Sequence, residues 1–167
     1  MRNQRGVSLI EIMVVLAIVA ILATMAYSLR SWADKNKVEA EIKELYVDLM
    51  SFRLAAIHKN RTHFVSVTAT QYTVNEDTNP VPDGDRALQV ADALVKTQAV
   101  PLTLNWSADA NLLAFGANGV ISDAVGVIPD ADAIYITPGV SADYDCLQIT
   151  STKISLGRMN GADCDPN

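Results

Sequence analysis

The first thirty residues contain a long run of hydrophobic positions behind a short basic leader. From Ile12 to Leu29 there are eighteen residues with no charge, no glycine and no proline. As an α-helix that rises about 1.5 Å per residue, this run spans roughly 27 Å, close to the thickness of the hydrocarbon core of a bilayer. The pattern therefore predicts a membrane-spanning helix.

After this run, the hydrophobic residues recur at intervals that place them on one face of a helix. Residues 33–59 contain no glycine or proline, and Asn60 is a suitable C-terminal stop. The spacing predicts that the membrane helix continues directly into an amphipathic one, whose apolar face carries the core of the domain. The residues that recur at intervals of three and four are Val38, Ile42, Leu45, Leu49, Phe52 and Ala56.

Beyond Asn60 the pattern is that of short β-strands separated by turns. Residues 79–85 predict a turn or loop, and residues 87–99 fit either a helix or a strand. The remaining length suits one globular domain of about 110 residues, so the predicted fold class is α+β. The predicted strands are residues 63–68, 71–74, 102–106, 112–115, 133–137, 146–151 and 154–158.

The distribution of charge predicts the orientation of the membrane helix. Arg2 and Arg5 precede the apolar run, so we expect the leader to stay in the cytoplasm and the rest to be translocated. The whole chain is acidic, with 19 Asp and Glu against 13 Lys and Arg. Only Lys153 and Arg158 are basic in the last seventy residues. An acidic domain disfavours DNA binding, which needs a basic surface to displace counterions.

Three interpretations of the opening segment compete. A secretory signal peptide has a shorter apolar region followed by a small-x-small cleavage site, whereas this apolar region is too long and residues 23–27 form a poor cleavage site. A plain membrane anchor fits the length. However, it leaves Glu11 unexplained, because a carboxylate near the membrane costs several kcal/mol without a partner. It also gives no role to Gly6, directly before the apolar run.

The third interpretation comes from a resemblance. Residues 6–18, Gly-Val-Ser-Leu-Ile-Glu-Ile-Met-Val-Val-Leu-Ala-Ile, resemble the class III signal of type IV prepilins and type II secretion pseudopilins. In that superfamily a membrane peptidase cuts after the glycine and methylates the new N-terminus. The resemblance implies cleavage after Gly6 and N-methylation of Val7. It also implies that Glu11, the fifth residue of the mature chain, neutralises the N-terminal ammonium of a neighbouring subunit.

The same resemblance implies an organisation and a location. It divides the chain into a leader (1–6), a membrane and filament-core helix (7–30), an amphipathic helix (31–60) and a β-rich domain (61–167). This is the pilin fold, a long helix packed on an antiparallel β-rich domain. The protein would be single-pass in the bacterial inner membrane, with its domain in the periplasm, before it enters a filament. Implied partners are other pilin or pseudopilin subunits, the prepilin peptidase and the inner-membrane assembly platform.

Two departures and one further motif indicate the subclass. Many major pilins have a glycine where this chain has Ala20 and a proline where it has Ser28. Because this chain lacks both residues, its helix should be straighter, which suits a minor component. Residues 48–61 and the pair Gly157-Arg158 resemble the FimT/FimU minor pilins and the H-type minor pseudopilin GspH. The matching positions in the helix are Asp48, Leu49, Ser51, Arg53, Ala56, Ile57, Lys59 and Asn60.

The subclass resemblance implies a structural role. It implies a minor pilin that primes assembly of a type IV pilus or sits in its tip complex. The alternative is an H-type minor pseudopilin of a type II secretion system. A major pilin and a DNA-uptake receptor are less favoured.

Cys146 and Cys164 are expected to form a disulfide, because the translocated side of a membrane is oxidising. Free or metal-binding thiols are the alternative. A C-terminal disulfide loop also resembles that of many type IV pilins and is less common in secretion pseudopilins, which favours a pilus.

Candidate catalytic and metal-binding residues are few. His58 and His63 are the only histidines, and the chain contains no nucleophile elbow, P-loop or dinucleotide fingerprint. We therefore expect no enzyme and no cofactor. Acidic pairs in loops can bind calcium, but these lack EF-hand spacing, and we expect no metal. The Asp-x-Asp pairs are Asp83/Asp85, Asp130/Asp132, Asp143/Asp145 and Asp163/Asp165.

Overall fold

The computed structural model describes residues 8–81, 84–106, 111–123, 132–137 and 142–166. Within these residues the chain forms one long helix, α1 (Leu9–Lys59), followed by ten strands. The strands are β1 (His63–Val67), β2 (Gln71–Glu76), β3 (Ala93–Ala99), β4 (Leu104–Trp106), β5 (Leu112–Phe115), β6 (Ile121–Asp123), β7 (Asp132–Ile136), β8 (Cys146–Ile149), β9 (Ile154–Asn160) and β10 (Asp163–Pro166).

Helix α1 is a single element of 51 residues. It runs without a break through Ala20 and Ser28, where a glycine and a proline would have allowed a bend. It ends because Asn60 adopts the left-handed conformation (φ 54°, ψ 40°), and the N–H of Arg61 bonds to the carbonyl of Ala56 at 3.1 Å. The continuity and the C-terminal end predicted from the sequence are both confirmed.

The strands form two five-stranded sheets in which every pair is antiparallel. Their orders are β3-β2-β1-β5-β6 and β10-β9-β8-β7-β4. The C-terminal half of α1 packs against both sheets through the predicted apolar face, whose first buried residue is Val38. One continuous core results, and the residues that the two sheets contribute to it include Val65, Tyr72, Val74, Leu113, Phe115, Ile134, Ile136, Leu147 and Ile149.

Seven strands were predicted, and all seven are present, with ends that differ by at most two residues from those predicted. In the ambiguous segment 87–99, turns precede strand β3. Strands β6 and β10 were not predicted. The first is only three residues long, and the second, Asp-Cys-Asp-Pro, has acidic residues and a proline that disfavour strands.

Two buried carboxylates organise the long connection between β2 and β3. Asp77 accepts hydrogen bonds from the backbone N–H groups of Asp85 (3.3 Å) and Arg86 (2.7 Å). Burial raises the pKa of Asp77, against the effect of these two bonds. Gly84 is required beside it, because a Cβ there would lie 2.0 Å from the Asp77 carboxylate. Asp92 accepts from three further backbone N–H groups, those of Thr78, Asn79 and Gln89.

The predicted disulfide is present and joins β8 to the last strand. Cys146 and Cys164 are both buried, with their Cα atoms 6.1 Å apart. Together with Ala133 they form a small second core, onto which Tyr135 and Met159 pack. The bond therefore fixes β10 at the edge of its sheet.

Candidate functional site

The N-terminal half of α1 is an apolar helix that the described residues of this chain leave uncovered. All described side chains from Leu9 to Leu29 are exposed, and the most hydrophobic 18-residue window has a mean hydropathy of 2.7 with none of it buried. By length and composition this helix can cross a membrane, and it is the only one among the described residues that can. A helix that is apolar all round must be covered by lipid or by partner helices.

Glu11 is the one charged residue between Leu9 and Leu29, and it lies in the first turn of α1. Its backbone N–H bonds to the carbonyl of Ser8 at 3.0 Å. Its carboxylate forms no ion pair or hydrogen bond with the residues that the structure describes, although the positive end of the helix dipole favours an acid there. Gly6 and Val7 lie outside the described residues, so the cleavage site remains a prediction.

The register of the helix places Glu11 on a particular side of the molecule. Glu11, Leu29 and Val47 are spaced 18 residues apart, which is five full turns at about 3.6 residues per turn. All three are exposed, and Val47 retains 63% of its surface. The buried residues Ile42 and Leu49 lie on the opposite side of the helix, against the sheets. Glu11 therefore lies on the face of α1 directed away from the β-domain.

Two residues of the helix motif 48–61 attach α1 to the first sheet. Asp48 accepts hydrogen bonds from the Tyr72 hydroxyl and the Lys96 ammonium. Burial, followed by the bond to Asp48, raises the pKa of Tyr72. The resemblance singled out Asp48, but neither partner was predicted, because both come from strands distant in sequence.

Arg53 makes the second attachment, to the turn between β5 and β6. Its Nε donates to the carbonyl of Gly119 at 2.8 Å. Gly119 has a φ of +77°, and a Cβ there would lie 2.9 Å from Ile57 Cδ1. Glycine is therefore required by both the backbone conformation and the close approach of the helix.

A third attachment lies where the helix leaves the domain. Lys35 Nζ is 2.8 Å from an Asp143 carboxylate oxygen, and the backbone N–H of Asp143 donates to Glu39 at 3.1 Å. That backbone bond lowers the pKa of Glu39. These contacts hold the segment before β8 against α1.

A compact charge cluster lies at the opposite end of the helix. Glu76 is 2.5 Å from Lys59, 3.5 Å from Arg61 and 3.8 Å from His63 Nε2. Burial acts to raise the pKa of Glu76, but the bond from Lys59 and the nearby cations outweigh it, so the pKa is lowered. His63 is fully buried, and burial lowers its pKa. Its Nε2 has no hydrogen-bond partner among the described atoms.

The remaining candidate residues take structural positions. His58 is exposed and His63 is buried. No group of three or more His, Cys, Asp or Glu residues suited to a metal occurs among the described residues. Asp83 and Asp130 lie outside them. Asp145 accepts from the Met159 N–H at 2.7 Å, and Asp165 accepts from the Asn160 side chain at 3.0 Å.

Comparison with known proteins identifies the opening segment. Residues 1–27 match the family model described as the prokaryotic N-terminal methylation motif. Comparisons with curated proteins and with solved structures gave no match. The motif is the class III signal, and with the long helix, the antiparallel sheets and the disulfide it indicates a protein of the type IV pilin and pseudopilin superfamily. Membrane anchoring before assembly into a filament follows from the same signal and helix.

The charge cluster predicts a pH-dependent contribution to stability. Because the pKa of Glu76 in the folded state lies below its ordinary value of 4.5, ionised Glu76 stabilises the fold near neutral pH. This contribution is lost as the pH falls through 4.5 toward the folded-state pKa. Glu76→Gln should lower the free energy of unfolding by about 1 kcal/mol near neutral pH and have a much smaller effect in acid, once the pH is below the lowered pKa of Glu76.

The measurement is urea unfolding of the mature chain in mild detergent across this pH range. Glu44→Gln, at an exposed position of α1, is the control and should change stability little at any pH. A Glu76→Gln effect that is the same at both ends of the range would contradict the role assigned to the carboxylate.

Proposed function

We propose that this protein is a minor pilin, a structural subunit that primes assembly of a type IV pilus or sits in its tip complex. The observation that carries the proposal is the exposed apolar half of α1, behind a class III signal, with a Glu11 carboxylate that has no partner among the described residues. Such a surface is stable only in lipid or among similar helices. The unbroken helix through Ala20 and Ser28 supports a minor rather than a major subunit, by resemblance.

The proposed mechanism moves α1 from one apolar environment to another. Cleavage between Gly6 and Val7 removes the basic leader, so that the mature chain carries an N-methylated ammonium at Val7. As the helix enters the filament, Glu11 pairs with the corresponding ammonium of a neighbouring subunit. A buried carboxylate is tolerated when a cation satisfies it, and an unpaired one is costly, so this pair selects one axial register.

The remaining parts have supporting roles in the same scheme. Residues 1–6 are the leader, 7–30 the membrane and filament-core helix, 31–60 the amphipathic helix and 61–167 the periplasmic β-rich domain. The domain supplies lateral contacts and no catalysis. Partners are other pilin subunits through the helix, the prepilin peptidase, and the inner-membrane assembly platform.

The runner-up is an H-type minor pseudopilin of a type II secretion system. The attachments made by Asp48 and Arg53 fit a minor pilin and an H-type pseudopilin equally, since the helix motif 48–61 resembles both families. The Cys146–Cys164 bond supports a pilus, because such a C-terminal loop resembles that of pilins more than that of pseudopilins. A DNA-uptake role is disfavoured by the net charge of −6.

Processing provides the first test. In cells with a prepilin peptidase, the mature chain should begin at N-methylated Val7, as read by mass spectrometry of its N-terminal peptide. Gly6→Val should retain Met1, because the peptidase requires the small residue before its cleavage site. If the unaltered chain retains Met1, or if its Val7 is not methylated, the protein is not a subunit processed by the prepilin peptidase.

Glu11 provides the second test. Glu11→Ala should be processed and folded normally, but its amount in isolated filaments should fall about tenfold or more, as expected from losing one buried ion pair. Immunoblots of sheared filaments and of membranes measure the ratio. Glu44→Ala, which removes an exposed glutamate from the same helix, is the matched control and should enter filaments normally. Equal incorporation of both variants would exclude the role of Glu11.

Deletion distinguishes the pilus from the secretion system. We expect loss of this chain to reduce the number of surface pili several-fold while secretion of folded exoproteins continues, because a priming subunit acts before the major subunit polymerises. Electron microscopy and exoprotein activity in the medium are the two readouts. The reverse result, normal pili with blocked secretion, would establish the pseudopilin alternative.

A further inference from the structure

The two sheets end in four edge strands within the described residues, and three of them are protected against pairing with another chain. Strands β4 and β6 are only three residues long. Strand β10 carries Asp163, Asp165 and Pro166. Short length, charge and proline are the usual features that keep an exposed edge from adding a further strand.

The fourth edge, β3, is less protected than these three. It is seven residues long and contains no proline and no acidic residue. Its one charged residue, Lys96, bonds to Asp48 on α1, and its ammonium lies 5.9 Å from the centre of the Tyr72 ring. Lys96 is therefore held toward the helix. Leu94 and Val95 are 64% and 45% exposed, an unusual exposure for apolar residues on a free edge.

Strand β3 is also firmly held in place on its inner side. It pairs with β2 from Ala93 to Ala99, with one register shift at which Val95 has no partner in β2, between the Leu94–Asn75 and Lys96–Val74 pairs. Its entry is fixed by the Ala93 N–H, which donates to Thr78 at 3.0 Å, and its exit by the Val100 N–H, which donates to Thr70 at 2.8 Å. The open edge is thus part of the folded domain and offers a formed row of backbone donors and acceptors.

We propose that β3 is a docking edge for an extended strand of a second, non-identical subunit of the same assembly, which adds to the sheet beside β3. Backbone donors and acceptors in a row are satisfied by a strand, and not by a helix face. Leu94 and Val95 would pack against apolar residues of the incoming strand. The net charge of −6 opposes a second copy and favours a neutral or basic partner.

This contact is separate from the one assigned to Glu11. Strand β3 meets α1 at Asp48, which is 37 residues from Glu11, or roughly 55 Å along the helix. The inference rests on the proposed function, because it takes the partner from the same assembly. The two interfaces can nevertheless be tested independently, since no residue belongs to both.

The experiment is site-specific photo-crosslinking in the producing cells with the full chain. A benzophenone amino acid replaces Thr97, an exposed residue of β3. Mass spectrometry then identifies the crosslinked peptide. We expect a segment of a different pilin-type subunit that forms a strand in its own domain. Leu94→Lys with Val95→Lys should reduce this crosslink about tenfold, because charges on an open edge oppose strand addition.

Val81→Lys is the matched control, because Val81 is a highly exposed valine outside β3, and it should leave the crosslink unchanged. Hydrogen exchange provides a second readout. Peptides covering 93–99 should exchange faster in the purified chain in detergent than in the isolated assembly. A crosslink to a second copy, a crosslink to a helix, or equal exchange in both states would overturn the proposal.

Failure of the two proposals can be told apart. If the chain is absent from filaments and pseudopili altogether, the proposed function fails. If the chain enters them through Glu11 but β3 gives no crosslink and no protection, only the docking edge is refuted.

Discussion

The whole molecule depends on the continuity of one helix. The backbone hydrogen bonds of α1 run without interruption from Leu9 to Lys59, a length of roughly 75 Å. In an unbroken helix, the direction of each side chain at one end is determined by its register with the other end. When the sheets bury Ile42 and Leu49, they therefore also determine which way Glu11 points. Packing of the domain and geometry of assembly are set by the same element.

This coupling requires that the domain cannot slide or turn on the helix. Apolar packing alone is non-directional and resists such movement weakly, whereas hydrogen bonds to defined partners are directional. The structure has such bonds at three levels of α1, from Lys35 and Glu39 to Asp143, from Asp48 to Tyr72 and Lys96, and from Arg53 to Gly119. They connect α1 to the first sheet and to the segment that leads into β8 of the second sheet. The surface of the domain, including β3, is consequently fixed in rotation and height relative to the membrane half of the helix.

The helix was predictable because its signal is local. Absence of glycine and proline, together with three-four spacing, is sufficient to locate it, and Asn60 marks its end. Buried strands such as β5 were predicted by their apolar residues. Strand β3 was ambiguous for a physical reason: an edge strand exposed on both faces has no alternation of buried and exposed side chains to read. The partners of Asp48, Arg53 and Glu76 were beyond prediction, because those contacts depend on which strands the fold brings to the helix.

The distribution of satisfied and unsatisfied groups is itself informative about function. Inside the domain, the buried carboxylates Asp77 and Asp92 accept backbone N–H bonds, and the half-buried Glu76 pairs with Lys59 and Arg61. The groups left without a partner in the described chain include the apolar surface of α1, the Glu11 carboxylate and the outer edge of β3. Other subunits of an assembly could satisfy each of them, with helices, an ammonium and a strand respectively. A protein that functioned alone in water would gain nothing from leaving these groups open, so their presence argues that the isolated chain is one part of a larger structure.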